Sequence, residues 1–213
     1  MADLIFYTNP MSRGQTIRWM LEEVGQPYET EVLDYASTMK AEPYLSVNPM
    51  GKVPAIKHKG KVVTEVAAIC CYLADAFLEA NLAPPPADRA DYYRWIFFTS
   101  GPVEAAFSNK AAGWEPTPEK QRMFGYGNYD LAIATFEKAL TGKEYIAADH
   151  FTAADLFVGA NVNFMLAFNL LEPRPVFVDY ARRMTDRPAY VRAKEIDSKL
   201  VAVLQAAQAP QPA

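Results

Sequence analysis

Three short stretches in the first 70 residues carry groups suited to holding a charged, extended ligand. The first is Tyr7-Thr8-Asn9-Pro10-Met11-Ser12-Arg13-Gly14, between an apolar strand-like run and a helical pattern. Ser12 falls where a helix N-cap belongs. Its hydroxyl, the free N–H groups of the helix start and Arg13 together suit an anion lying over that end. The plain alternative is a serine that only caps the helix. The second stretch is Val47-Asn48-Pro49-Met50-Gly51-Lys52-Val53-Pro54. A Val-Pro step ahead of a short strand suits a cis peptide. Such a turn leaves the Val53 N–H and C=O facing outward, ready to pair with a peptide ligand as an added strand. An ordinary loop entering an edge strand is the alternative. The third is Thr64-Glu65-Val66, at the start of another helical pattern. Helix-start N–H groups favour a carboxylate, while Glu65 accepts from an ammonium. An α-amino acid end fits both, although a first-turn acid that merely complements the helix dipole reads the same way.

The elements that must position these residues alternate between strand and helix signals. Leu4 to Tyr7 reads as a buried strand, and Ile17, Met20, Leu21 and Val24 as a helix closed by Gly25. Tyr28 to Leu33 is a second strand, and the stretch from Lys40 to Leu45 a short irregular helix. Val53 to Ile56 and Lys61 to Val63 pair around Lys59-Gly60, and Val66, Ile69, Cys70, Leu73 and Phe77 form an amphipathic helix. The order, βαβ then ββα, is an α/β unit of thioredoxin size.

A proline-rich break, Leu82-Ala83-Pro84-Pro85-Pro86, separates this unit, residues 1–82, from a C-terminal domain over 83–213. There the pattern is all helical across 87–207, with periodic stretches at 88–110, 118–140 and 153–170, and 208–213 is expected as a disordered tail. Leu156 to Leu171 is apolar nearly all round, as the central helix of a bundle is. Just before it, Thr152 and Asp155 have the spacing of a capping box, a structural feature.

The 213 residues carry a net charge of −4, and neither half has the basic surplus that nucleic-acid binding requires. No apolar run spans a bilayer and MADLIFYTN is not a leader pattern, so neither a membrane nor secretion is expected. The only cysteines, Cys70 and Cys71, are adjacent, and a bridge between them would be strained. Free thiols suit a cytoplasmic location. With His58 and His150 far apart and no clustered Cys/His spacing, no metal site is expected.

Together these residues resemble the glutathione S-transferase family, most closely its theta-like and bacterial serine-type members. Ser12, Asn48-Pro49, Gly51-Lys52-Val53-Pro54, Glu65, Thr152-Ala153-Ala154-Asp155 and Arg187-Pro188-Ala189 carry the resemblance, which spans nearly the whole chain. It implies a thioredoxin-like domain that binds glutathione as co-substrate, an all-helical domain behind it, and a homodimer. It implies that Val53, set by Pro54, clamps the cysteinyl backbone, and that Glu65 holds the γ-glutamyl amine. Val66 then offers its N–H to the γ-glutamyl carboxylate. Lys52 belongs near the glycyl carboxylate, and Lys40 and Arg13 complete the glutathione-binding set. Where the family has Ser or Thr after the acidic residue, this chain has Val66, which keeps a backbone N–H and loses a hydroxyl. Ser12 is the expected thiol-activating residue, with Tyr7 its competitor. Tyr7, Phe107 and Trp114 are candidates for the wall of a small hydrophobic electrophile's site, or equally core. The expected reaction is conjugation in detoxification. A glutathione-dependent isomerase or dehalogenase, or a non-catalytic binding module, are the alternatives.

Overall fold

The computed structural model describes residues 3–208. The chain divides into two compact units, one made of residues 3–80 and 187–208, the other of 81–186.

In the first unit β1 (Leu4–Thr8), α1 (Gly14–Val24) and β2 (Glu29–Val32) form a parallel βαβ arrangement. β3 (Ala55–His58) and β4 (Lys61–Thr64) follow as a hairpin, then α2 (Val66–Ala76). The sheet order is β2-β1-β3-β4, with the last two pairings antiparallel. The α1 helix stops at Gly25, which adopts φ 71° and donates its N–H to the Leu21 carbonyl. The hairpin turns on Lys59 and Gly60, both at positive φ, the signature of a type I′ turn. Alternation along β1 sends Leu4, Phe6 and Thr8 into full burial and leaves Ile5 and Tyr7 half-buried on the other face. Leu4 and Phe6 join the core with Ile17, Met20, Leu21, Ile56, Ile69 and Leu73. Tyr7 instead packs against a smaller cluster of Met39, Tyr44 and Ala55. The irregular helix expected near Lys40 is two short 3₁₀ turns, Thr38–Lys40 and Tyr44–Ser46.

The last helix, α8 (Pro188–Gln208), belongs to this unit although it is the most distant in sequence, where sequence order had put it with the helical domain. Trp19 meets Tyr190 edge-on at 5.1 Å, and Arg187 grips Glu23 through two bonds of 2.6 and 2.9 Å. Arg18, 1% exposed, lies over the Phe6 and Tyr28 rings and reaches Asp197 at 3.1 Å. A buried guanidinium requires such a partner, so this pair ties α8 to α1. The tail expected at 208–213 lies, Gln208 apart, outside the described residues.

The second unit is helical: α3 (Ala90–Phe98), α4 (Glu104–Ala111), α5 (Tyr129–Leu140), α6 (Ala153–Ala167) and α7 (Pro175–Thr185). The periodic stretch over 88–110 is one rod interrupted by a π-helical turn, Thr99–Val103, at Pro102, which has no N–H for the α-helical ladder. The stretch over 118–140 is α-helical only from Tyr129, with one short 3₁₀ turn, Gln121–Met123, before it. Gly127 sits at φ 69°, and Asn128 caps α5 by accepting from the Leu131 N–H, so the α-helix does not extend back over residues 118–128. α6 is the buried helix, and Thr152 and Asp155 form its capping box. Asp155 also accepts from the Ile146 N–H at 2.7 Å and the Tyr180 hydroxyl at 2.8 Å, which satisfies a carboxylate with no exposure at all. Among the described residues, no helix is long and apolar enough to cross a membrane.

Candidate functional site

Register brings the three stretches together. Tyr7 stands opposite Ala55 across β1 and β3, and Ala55 stands opposite Thr64 across β3 and β4. The turn after β1, the segment before β3 and the start of α2 therefore leave the sheet at one end. Ser12, Val53 and Glu65 are carried there by neighbouring strands rather than by nearness in sequence.

The turn after β1 is tight and heavily bonded. Asn9 donates its side-chain N–H to the Leu33 carbonyl at 2.8 Å and accepts the Met11 N–H at 2.9 Å. The Ser12 hydroxyl donates to the Asn9 carbonyl at 2.6 Å and accepts the Gly14 N–H at 2.9 Å. Ser12 thus caps from one residue earlier than expected: the helix opens at Gly14, and Arg13 occupies the N-cap position in a helical conformation. Gly14 is there for want of space. A Cβ at this position would lie 2.0 Å from Thr8 Oγ1 and 2.9 Å from Ser12 Oγ.

The segment before β3 is positioned through the Lys52 carbonyl. Tyr44 donates its hydroxyl to that oxygen at 2.5 Å, and the Asn48 amide donates to it at 2.7 Å. The Val53–Pro54 peptide is cis. Gly51, at φ 56°, allows the turn, since a Cβ there would meet the Met39 carbonyl at 2.9 Å. With this support Val53 is left half-buried, and its N–H and C=O engage no partner among the described residues. Asn48 belongs to the motif read from the sequence, whereas Tyr44, the other support of this carbonyl, does not. The Asn-Pro-x-Gly spacing signals the turn, but nothing local announces the Tyr44 hydroxyl. Lys52 keeps its side chain exposed, while Lys40 donates its ammonium to the Gly51 carbonyl.

At the start of α2, Glu65 is the N-cap residue with φ 67° and ψ 122°, a backbone conformation that side chains disfavour. Its own side chain makes no cap bond, and no acid occupies the first helical turn, so the Val66 end of the helix presents its N–H groups outward. Strain of this kind persists where surrounding structure imposes it, and it collects at ligand sites.

Tyr7, the competitor for the thiol-activating role, is half-buried at the end of β1. Burial, reinforced by the nearby Glu31 carboxylate, pushes its phenol above the ordinary value, and its ring lies 5.5 Å from that of Tyr44. In the helical unit, Phe107 is buried at 4% exposure and packs on Phe164, whereas Trp114 is 44% exposed and meets Phe124. They join different aromatic groups, so Phe107 reads as core. Cys70 is fully buried, and burial drives its thiol well above the usual value, which makes it inert.

Residues 11–76 match the family model described as the N-terminal domain of glutathione S-transferase. The chain is similar to glutathione S-transferase A of Pleuronectes platessa, 28% identical over 84% of this chain and 90% of that one. It is also similar to protein LigF of a Sphingobium species, at 27% identity over 76% of this chain and 77% of the relative. A crystal structure of a glutathione transferase from Methylococcus capsulatus superposes with a TM-score of 0.75 at 25% identity, over 92% of this chain and 98% of its own. A glutathione transferase of Phanerochaete chrysosporium, solved with oxidized glutathione, shares the fold at a TM-score of 0.74 and 24% identity, over 93% and 97% of the two chains. The fold, the match over the first unit and these relatives agree: the chain belongs to the glutathione S-transferase family.

Proposed function

We propose that this glutathione S-transferase binds glutathione in extended form across Val53 and attaches its sulfur to a small hydrophobic electrophile. The observation that carries the reading is the convergence at one sheet end of an unpaired Val53 backbone, an open α2 start and the Ser12 turn. In this reading the Val53 N–H and C=O pair with the cysteinyl residue. The γ-glutamyl carboxylate sits on the Val66 N–H and its ammonium on Glu65. Lys52, Lys40 and Arg13 supply positive charge around the remaining carboxylate.

A hydroxyl is no base at neutral pH, so Ser12 acts by hydrogen-bonding the thiolate, aided by the α1 dipole. Its O–H turns from the Asn9 carbonyl to the sulfur. The Asn9 carbonyl keeps the Ser12 amide N–H at 3.0 Å and is not orphaned by the exchange. The bond gained is to an anion and is stronger than the neutral bond released. The thiol proton leaves to solvent. With an aryl halide, a C–S bond forms, the carbon–halogen bond breaks and halide departs with the electron pair. The same thiolate would serve isomerisation or dehalogenation, and product analysis separates these.

The homodimer belongs to the same proposal, supported by the exposed Tyr93 and Phe97 on α3, as do a cytoplasmic location and a role in detoxification. A sedimentation mass near 24 kDa, the single-chain value, would count against the dimer. Retention on immobilised glutathione, followed by an electrophile panel assayed with and without glutathione, tests the main reading. Retention without any glutathione-dependent product leaves only a binding module, and flow-through removes the reading altogether.

A further inference from the structure

Gln15, on the first turn of α1, clasps the Ser12 turn from both sides. Its backbone N–H donates to the Ser12 carbonyl at 3.2 Å. Its side-chain N–H donates to the Pro10 carbonyl at 2.6 Å. The other end of the same amide, Gln15 Oε1, accepts the Lys194 ammonium of α8 at 3.2 Å. A glutamine bonded at both ends has its amide orientation defined, because its oxygen faces the cation and its N–H faces the carbonyl. The ammonium also polarises the amide and strengthens the N–H that grips Pro10.

The relay is separable from the packing of α8. That helix is held on α1 independently by Arg18–Asp197, Glu23–Arg187, Glu22–Arg192 and the Trp19–Tyr190 contact. Lys194 itself is exposed; its charge also favours the ionised Asp197 carboxylate, a weaker influence there than that of Arg18.

We infer that Gln15 and Lys194 are positioning residues for thiol activation, in which the last helix of the chain sets the geometry of the Ser12 turn through the Lys194–Gln15–Pro10 relay. Neither touches the reacting atoms. Each acts by fixing where the Ser12 hydroxyl and the neighbouring N–H groups point. The inference rests on the reading that this turn stabilises the thiolate.

The test compares Gln15→Ala, Lys194→Ala, Lys194→Arg and Ser12→Ala in the full chain. The readouts are the pH profile of kcat/KM with an aryl halide, the KM for glutathione and the melting temperature. Gln15→Glu serves as a second variant, since it keeps side-chain size and the Lys194 pairing yet cannot donate to Pro10 when ionised. In Gln15→Ala and Gln15→Glu, kcat should fall about three- to tenfold, one neutral hydrogen bond's worth, with the acidic limb moved to higher pH. The KM for glutathione should stay within about twofold, because the binding backbone at Val53 is untouched. Lys194→Ala should show a smaller change in the same direction, and Lys194→Arg should restore the wild-type profile. A shifted limb in Ser12→Ala with none in the Gln15 variants overturns the relay and leaves the serine reading standing. A shift in the Gln15 variants but not in Ser12→Ala supports the relay and moves thiol activation to the backbone of the turn. Wild-type profiles in all of them overturn both. A fall in activity matched by a fall in melting temperature, with the pH profile unmoved, overturns the relay as merely structural.

Discussion

The Ser12 hydroxyl donates to the Asn9 carbonyl at 2.6 Å, and that carbonyl also accepts the Ser12 amide N–H at 3.0 Å. Serine and asparagine are therefore joined twice, and only one of the bonds must open for the hydroxyl to reach a sulfur. The Gly14 N–H on Ser12 Oγ holds the oxygen in place while the proton changes acceptor.

Ser12→Ala should raise the pKa of bound glutathione by about one to two units, the worth of one hydrogen bond to an anion. A raised thiol pKa moves the acidic limb of kcat/KM to higher pH and slows turnover roughly ten- to hundredfold at neutral pH, with glutathione affinity little changed. Tyr7→Phe should leave the limb where it is, because in this reading the Ser12 hydroxyl makes the bond to sulfur, and phenylalanine keeps the Tyr7 ring packed on that of Tyr44 at 5.5 Å. A limb that moves only in Tyr7→Phe reverses the assignment.

Glu65 combines a side-chain role with a strained backbone, and two substitutions separate them. Glu65→Ala and Glu65→Gly should both weaken glutathione binding by about ten- to hundredfold, since each removes a charged partner of the amine. Glu65→Gly should melt higher than Glu65→Ala by about 1–2 kcal/mol of stability, because glycine relieves φ 67° and alanine does not. Calorimetry showing wild-type affinity in both would exclude Glu65 as the amine's partner.

Val66→Ser should tighten glutathione by up to about tenfold, since a hydroxyl at the open start of α2 adds a hydrogen bond to the carboxylate. Unchanged or weaker binding by titration calorimetry would place the carboxylate elsewhere.

Gly14→Ala should cost about 1–3 kcal/mol of stability and most of the activity, because the new methyl meets Thr8 Oγ1 at 2.0 Å and crowds the Ser12 hydroxyl. Thr8 is 1% exposed and has nowhere to move. Thr8→Ala in the same chain should recover part of the stability, which urea titration of the single and double variants would measure.

His58 is 5% exposed on β3, with Nδ1 3.0 Å from the Tyr72 hydroxyl and its ring against Phe77. Burial and then Lys59 push its pKa below the ordinary value, while Asp3 opposes them. The folded state therefore prefers neutral His58, whereas the unfolded chain takes up a proton near pH ~6.5. The stability this gives is complete above the unfolded pKa and is lost as pH falls toward the folded one. Melting temperatures from about pH 7.5 down to about pH 5.5 should fall more steeply for the wild type than for His58→Gln. Parallel curves would assign the acid sensitivity to other groups.

Local physics was legible in the sequence. Periodicity marked β1, α1 and α2, glycine marked the end of α1, Lys59-Gly60 marked the hairpin, and Thr152 with Asp155 marked the start of α6. Each depends on residues within a turn or two of one another. The segment 118–128 misled because its apolar spacing resembles a helix while Gly127 and Asn128 break it. Strand register, by contrast, is a long-range property, and it alone brings the turn of Ser12, the backbone of Val53 and Glu65 to one sheet end. The same holds for α8, whose docking rests on partners up to 179 residues apart. In sequence, Glu23, Arg187 and Lys194 are ordinary charges on amphipathic helices, with nothing to say whether they face water or one another. Only packing decided that, because burying Arg18 beneath α8 demanded Asp197 as its counter-charge and so set the face that the last helix turns toward α1.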